Sequence, residues 1–534
     1  MKSENKKALL ALLVLMVVCG KKGSSQASAS SDQQQLTLLQ AVQFTLLNHP
    51  LLKIQQAKIQ ISEGLREQAS GAFDSVTAGT LNQGQITVPL SPVQQQENAV
   101  SGFTAADQLS HVTSYDFGVQ KLFRNGISIT PQLRLDRASD NRFNSAGLNS
   151  STTSFLVTIP LLRGRGRATV AAQEDAAKTE VAASFLDLSQ LISQLMANTI
   201  SSYWSLVAAQ KNLAIAIEAE DRGNLYLRGV QTLVDADHVP HNDLHEVVAN
   251  LASRSSSRLA AEQQVIAAQA QLALDMGISA DRLLADMPRP LDDFPDGEDQ
   301  QLPSDSTASM QYYFNEALQH RADYLALLRR TAEATVLEHA ARNRLQPQIN
   351  LNLGAGYSGL QQGRQVGGFF VSTVTGVQGP NVSAGLTYSF PGGNQTARGA
   401  LLQAVGATTQ AEWQSRDLAR SISGSVAVAV SAVRSAILRV KRARQSVKAY
   451  RAALAGEREK YAGGIGSIVD ILTVEDKLTT ALIDQLQTEQ SYALAVVQFR
   501  FATGTLVSLT QATQNIDRGI FSTLPFAGTP QPRP

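Results

Sequence analysis

The sequence predicts an α+β membrane protein built from an internal repeat, in which alternating strands lead into very long helical hairpins. Two segments without proline, residues 161–239 and 392–462, each run into a polar turn. At about 1.5 Å per residue, each helix would be roughly 100 Å long. Each turn ends in an aspartate, Asp243 or Asp470, which opens a second helix. The sequence therefore contains the same kind of hairpin tip twice.

The strand segments alternate apolar residues with small or polar ones. This pattern is clearest in residues 127–135, 155–159, 349–357 and 382–390. A period of two directs all apolar side chains to one face, and about nine to eleven tilted residues are enough to cross a bilayer. The pattern therefore predicts strands of a membrane barrel, with one face toward lipid and the other toward water.

The first half carries more strand-forming chain than the second. From Phe73 to Pro160 the chain advances 87 positions, whereas from Pro347 to Pro391 it advances 44. Asn125-Gly126 is typical of a tight turn between two strands, although residues 76–90 alternate less clearly. The sequence thus leaves open whether the chain forms four or six strands.

Apolar residues repeat along both long helices in steps of three and four. They are Phe185, Leu188, Ile192, Leu195, Thr199, Ser202 and Leu206 in the first, and Val426, Val430, Val433, Ile437 and Val440 in the second. Such a stripe predicts coiled-coil packing of helix on helix. A soluble helical bundle would explain these stripes but not the alternating strands.

The N-terminus predicts export from the cytoplasm. Residues 1–19 combine three lysines with an apolar run too short to span a membrane, which is typical of a signal peptide. The only cysteine, Cys19, follows that run, and it is either a lipidation site or lies ahead of a cleavage site near Ala27–Ala29. Residues 20–35 then form a polar linker, and the balanced net charge of +1 gives no reason to expect nucleic acid as a partner.

No arrangement of residues predicts an enzyme or a cofactor site. Residues 354–359 match a dinucleotide fingerprint, but no helix start follows them, so a strand end and a surface loop are expected there. His238, His241 and His245 lie beside Asp243 and Glu246. They form either a polar tip, a weak metal site or a group that gains charge in mildly acidic solution.

Taken together, these features resemble the TolC-like outer-membrane efflux protein family. The resemblance rests on the order and spacing of Asn48-His49-Pro50, residues 160–164, Tyr203-Trp204, residues 461–470 and residues 501–506. It implies a homotrimer in the outer membrane, whose shared barrel continues into a helical tunnel in the periplasm. It also implies a periplasmic adaptor protein and an inner-membrane pump of the RND, ABC or MFS type as partners.

The resemblance divides the chain into two repeats, 36–307 and 308–510, with a tail at 511–534. A mixed belt around the middle of the tunnel would be built from residues 283–307 and the C-terminal residues.

The resemblance further assigns a periplasmic gate to Tyr461, Asp470 and Asp243. The latch arginine of the family falls on Gly466 and its second entrance aspartate on Thr473, so this chain lacks both. Its gate is therefore expected to be held in a different way.

Two functions agree with the sequence. The first is a passive exit duct of a tripartite efflux pump or a type I secretion system, which carries small molecules or proteins out of the cell. The second is a non-transporting periplasmic scaffold, for which the helical stripes alone would suffice. Strands inserted in lipid distinguish the two.

Overall fold

The structure is a computed structural model that describes residues 35–142, 144–236, 241–279, 288–297, 303, 305–363, 371–372, 374, 376–507, 518–521 and 523–524. Cys19, the signal segment, His238 and most of the tail lie outside these residues, so the expectations for them stay predictions. The chain divides into two compact units. One comprises Ile59–Ala183 and Leu327–Gln414, and the other comprises Met1–Lys58, Ser184–Ala326 and Ser415–Pro534.

Besides a short 3₁₀ helix at Arg518–Phe521, ten α-helices are seen in the described residues. They are α1 (Leu38–Asn48), α2 (Pro50–Gly71), α3 (Pro92–Val100), α4 (Arg167–Val170), α5 (Ala172–Asp235), α6 (His241–Asp275), α7 (Thr307–His320), α8 (Ala322–Asn343), α9 (Gln395–Ala462) and α10 (Ile468–Ala502). The segments without proline thus form the long helices α5 and α9, as predicted. Pro50 and Pro92 each begin a helix, where a missing N–H has no cost.

The strands form two sheets. They are β1 (Gln35–Leu36), β2 (Ser75–Pro89), β3 (Asp107–Leu122), β4 (Ser128–Asp140), β5 (Leu148–Pro160), β6 (Arg289–Pro290), β7 (Gln348–Gln362) and β8 (Val377–Ser389). β1 and β6 make a short parallel pair. The other six form one sheet in the order β2-β3-β4-β5-β7-β8, in which all neighbours are antiparallel. The chain therefore forms six strands in this sheet rather than four.

The register of the six-stranded sheet confirms that its two faces differ. One row of paired residues on the first face is Ile129, Val157, Leu353 and Ala384. The adjacent row on the opposite face is Ser128, Thr158, Asn352 and Gly385. The polar row is hydrogen-bonded within the sheet, since Thr158 Oγ1 lies 3.0 Å from Asn352 Oδ1. One face therefore suits hydrocarbon and the other suits water.

Strand β2 departs from this pattern. Val76, Ile86 and Val88 pair with Gln120, Ser110 and Gln108, so their side chains share the polar face of the sheet. Leu81 pairs with Tyr115 and lies on the apolar face. The apolar residues of β2 are thus divided between the two faces of the sheet, which explains why its sequence indicated a strand only weakly.

The turn between β3 and β4 confirms the Asn125-Gly126 prediction. Gly126 has φ +94°, and a Cβ atom there would lie 2.2 Å from the carbonyl oxygen of Gly164. Only glycine permits both this conformation and this close approach. The fingerprint at 354–359 lies inside β7, which continues to Gln362, so the expectation of a surface loop directly after residue 359 was wrong.

An ion pair connects the β3–β4 turn to the start of α5. Arg124 donates to both carboxylate oxygens of Glu174, at 2.6 and 3.1 Å. The Arg124 hydrogen bond and, less strongly, Lys178 lower the pKa of Glu174 to about 2. The Glu174 side chain is 6 % exposed and the Arg124 side chain is 44 % exposed, so a partly exposed arginine pairs with a buried carboxylate.

The predicted stripe of α9 is a core stripe. Val426, Val430, Val433, Ile437 and Val440 are all buried, and they pack with Tyr492, Val496 and Phe499 of α10. A second core surrounds Ile200, Tyr203 and Leu206 of α5. Helix-on-helix packing in the predicted register is therefore confirmed in this unit.

Candidate functional site

The turn between α9 and α10 is closed by backbone hydrogen bonds. The N–H of Ile465 donates to the Lys460 carbonyl and the N–H of Gly464 donates to the Tyr461 carbonyl, both at 3.0 Å. Gly464 has φ +74°. This pair of bonds around a left-handed glycine is the Schellman arrangement that ends a helix.

Gly466 lies close to the end of α9. A Cβ atom at Gly466 would lie 3.1 Å from the backbone nitrogen of Tyr461, which is a tight contact. The latch arginine that the resemblance places at this position would therefore require a small adjustment of the turn. Thr473, at the position of the second entrance aspartate, donates its hydroxyl to the Val469 carbonyl at 2.8 Å.

Asp470 has a structural role that the sequence did not reveal. Ser467 is the N-cap of α10, and its Oγ accepts from the N–H of Val469 at 3.1 Å. In return, the Asp470 carboxylate accepts from the N–H of Ser467 at 3.3 Å, which completes a capping box. Asp470 remains exposed, so its charge also faces solvent at the tip.

The structure describes the first tip up to residue 236 and again from residue 241. α5 ends at Asp235 and α6 begins at His241, with Asp243 in its first turn, where a carboxylate stabilises the helix dipole. His241 and His245 are exposed one turn apart. Among the described residues, no group of three potential ligands could hold a metal ion.

An apolar cluster lies behind the tips and joins both hairpins. Its buried members are Val230, Val234, Val247, Val447, Leu454, Ile468, Ile471, Leu472, Leu478 and Ala481. Tyr461 packs against this cluster. Residues from α5, α6, α9 and α10 all contribute, so burial of this cluster favours close contact between the two hairpins.

A cavity of about 410 Å³ opens beside this cluster. Its lining consists of Arg222, Leu225, Tyr226, Gly229, Val230, Leu233, Arg458, Tyr461, Ile468 and Ile471. Most of these residues are apolar. Tyr461 thus lies between the exposed turn and an apolar recess.

A buried carboxylate lies five residues after Asp470. The Glu475 side chain is 0 % exposed, and Arg222, Arg254 and Arg458 lie within 3.3 Å of its oxygens. Tyr226 also donates to Glu475, at 3.2 Å. The signal for this cluster was present in the sequence, because Glu475 interrupts the apolar stripe of Ile471, Leu472 and Leu478.

A comparison with protein families matches the second half of the chain. Residues 313–505 match the model for outer membrane efflux proteins. This match includes α8, β7, β8, the whole of α9 and α10, and the tip with Tyr461 and Asp470. No curated protein sequence matches the chain significantly.

Solved structures match over nearly the full length. The outer-membrane channel OprN superposes with a TM-score of 0.63 at 18 % identity, covering 91 % of this chain and 98 % of the channel. The Campylobacter jejuni CmeC outer membrane channel gives 0.61 at 14 % identity, covering 92 % and 95 %. The open state of the Neisseria gonorrhoeae MtrE outer membrane channel gives 0.59 at 16 % identity, covering 91 % and 95 %. The chain therefore shares the fold of these channels.

Proposed function

We propose that the chain is a member of the TolC-like outer-membrane efflux protein family, whose members are channels rather than enzymes, and that it forms a passive exit duct. The duct serves a tripartite efflux pump or a type I secretion system. It receives small molecules or proteins from an inner-membrane pump of the RND, ABC or MFS type through a periplasmic adaptor protein.

The observation that supports this proposal best is the two-faced sheet. Apolar rows such as Ile129, Val157 and Leu353 occupy one face, and polar rows such as Ser128, Thr158 and Asn352 occupy the other. Strands of 13 to 16 residues exceed what is needed to cross a bilayer. A periplasmic scaffold has no use for such a face.

The open edges of the sheet support a homotrimer with a shared barrel. Within the described residues, β2 and β8 each have a neighbouring strand on one side only. Backbone groups cannot remain unpaired in hydrocarbon, so these edges require partners. β2 and β8 run in opposite directions, so β8 of one copy can pair with β2 of the next in an antiparallel manner. Three six-stranded sheets would close an 18-stranded barrel, a size that leaves an aqueous channel.

The tips of the helical hairpins supply the proposed gate. In a trimer, three copies of the exposed Asp470 would meet around the axis, and a ring of carboxylates favours cations. Tyr461 and Asp243 lie close to the turns that would have to move. His238, His241 and His245 are the proposed charge-dependent part of the first tip.

Fractionation of cells that produce the full chain tests the proposal. A heat-modifiable trimer in the outer-membrane fraction is expected, because a closed barrel resists detergent until it is heated. A soluble monomeric rod in the periplasmic fraction would instead support the scaffold function.

A further inference from the structure

The Glu475 carboxylate of α10 lies near the tips and contacts arginines from each of the other three long helices. Arg222 and Tyr226 belong to α5, and Arg254 belongs to α6. Arg458 belongs to α9 and Glu475 itself to α10. The carboxylate thus connects the first hairpin with the second inside one protomer.

The contacts at Glu475 are short and converge on both of its oxygens. Arg458 Nη2 lies 3.0 Å from Oε1 and Arg254 Nη1 lies 3.2 Å from Oε2. Arg222 Nε lies 3.3 Å from Oε1. The hydroxyl of Tyr226 accepts from Arg458 at 2.9 Å and donates to Glu475 at 3.2 Å, so it connects α9 with α10 a second time.

Arg254 also binds groups outside the Glu475 carboxylate. Its side chain is 7 % exposed, and Nη1 also donates to the Ala219 carbonyl of α5 at 2.9 Å. Its Nη2 donates to Asp476 at 2.9 Å, and Asn250 donates to the same carboxylate at 2.9 Å. Asp476 is half exposed, whereas Glu475 is fully buried and is the carboxylate that Arg222, Arg254 and Arg458 share.

The cluster around Glu475 lies close behind the tip of the second hairpin. Glu475 follows the α10 N-cap Ser467 by eight residues, about two helical turns, and Ile468, Ile471 and Leu472 of the apolar cluster lie between them. A buried ion pair favours the arrangement in which its partners are in contact, because removing one partner leaves an uncompensated charge. When the hairpins separate, Arg222 and Arg254 of the first hairpin both lose their contact with Glu475 of the second.

We propose that Glu475 is a positioning residue that holds the two helical hairpins of each protomer together and so keeps the entrance closed. This inference rests on the proposed duct function. It places the latch of this chain inside the protomer and behind the tip. The turn at Gly466 has no side chain that could serve instead.

The test is planar-bilayer conductance of the purified full-length trimer carrying Glu475→Gln. The neutral amide leaves three arginines in contact without a full counter-charge. We expect the ratio of open to closed time to rise on the order of 10-fold. Glu457→Gln is the matched control, because it makes the same change on α9 at a carboxylate paired only with Lys460, four residues before the turn begins at Tyr461. The control is expected to gate like the unmodified protein.

Second variants distinguish the loss of a specific latch from a general loosening of the contact between the hairpins. Arg458→Gln combined with Glu475→Gln removes one of the unpaired charges, and closure is expected to recover in part. Glu475→Asp keeps the charge but withdraws it by one methylene, and an intermediate rise in opening is expected. If Glu475→Gln does not assemble, the Glu475→Asp variant decides the matter by the same measurement.

The outcomes distinguish failure of the Glu475 latch from failure of the proposed duct function. If the unmodified trimer conducts and both Glu475 variants gate as it does, the latch is wrong and the duct stands. Absence of conductance in the unmodified trimer removes the duct and the latch together. Opening in Glu475→Gln without any recovery in the double variant also contradicts the latch, because it indicates loosening unrelated to the unpaired charge.

Discussion

The two halves of the chain agree in their helices and differ in their strands. α2 and α8 each have 22 residues, α6 and α10 each have 35, and α5 and α9 have 64 and 68. The first half contributes four strands to the large sheet and the second contributes two. Duplication has therefore preserved helix length closely while strand number has changed.

The physical constraints on the two elements explain this difference. Helices that pack along a common stripe must match in length, because a missing turn leaves apolar residues without partners and separates the tips. A hairpin of two antiparallel strands instead starts and finishes at the same end of the sheet. β2 and β3 can therefore be present or absent without changing the direction in which the chain enters α5.

The largest expected effect comes from shortening one long helix alone. Deletion of Val433–Arg439 from α9 removes one heptad and shortens the helix by roughly 10 Å while keeping its stripe in phase. The tip of the second hairpin then cannot reach the apolar cluster it shares with the first. We expect no heat-modifiable trimer on electrophoresis.

The control for this deletion removes one heptad from each of α5, α6, α9 and α10. Matched lengths are then restored, and recovery of the trimer is expected. Normal assembly of the single deletion would show that helix length is not constrained as the comparison implies.

A charge on the apolar face of the sheet is expected to have the next largest effect. Leu386→Arg places a guanidinium where hydrocarbon is expected, which costs about 2–4 kcal/mol near the bilayer midplane. Thr387→Arg is the matched control on the opposite face of the same strand. We expect loss of the outer-membrane trimer for the first variant only, and equal assembly of both would contradict the assignment of the faces.

Removal of the extra strands is expected to be tolerated better than either change. Deleting residues 75–124 takes out β2, α3 and β3 and joins α2 to the Asn125 turn. A trimer of four-stranded sheets can still close, at the expense of the Arg124–Glu174 ion pair. Heat-modifiable trimer of reduced thermal stability is expected, and complete loss of assembly would show that β2 and β3 are essential to the barrel.

Charge removal at the tip is expected to have the smallest effect on structure. Asp470→Asn keeps an oxygen that can accept from the Ser467 N–H, so the start of α10 persists. The ring of negative charge at the entrance is lost, and cation selectivity in single-channel recordings should decrease. Unchanged selectivity would place the narrowest point elsewhere.

The sequence predicted the helices well because their determinants are local or periodic. The absence of proline marked α5 and α9, and the steps of three and four marked the stripe from Val426 to Val440. Most strands were recognised by alternation. β2 was indicated only weakly, because Leu81 lies on one face of the sheet and Val76, Ile86 and Val88 lie on the other, so pairing with β3 defines the strand instead.

The site was predictable only in part. Asp470 and Tyr461 stood out through the repeated turn, but the role of Asp470 in capping depends on a backbone N–H that only the folded turn brings near. The cluster around Glu475 joins residues more than 200 positions apart along the chain. No local pattern shows which arginines meet one glutamate, so its partners became evident only from the packing of four helices.

The most direct test of the duct is ion conductance of the purified, heat-modifiable protein in a planar lipid bilayer. Stepwise current through single inserted trimers is expected, because the polar face of the sheet would line a continuous aqueous path. A protein that remains monomeric and produces no current at any concentration would contradict the account.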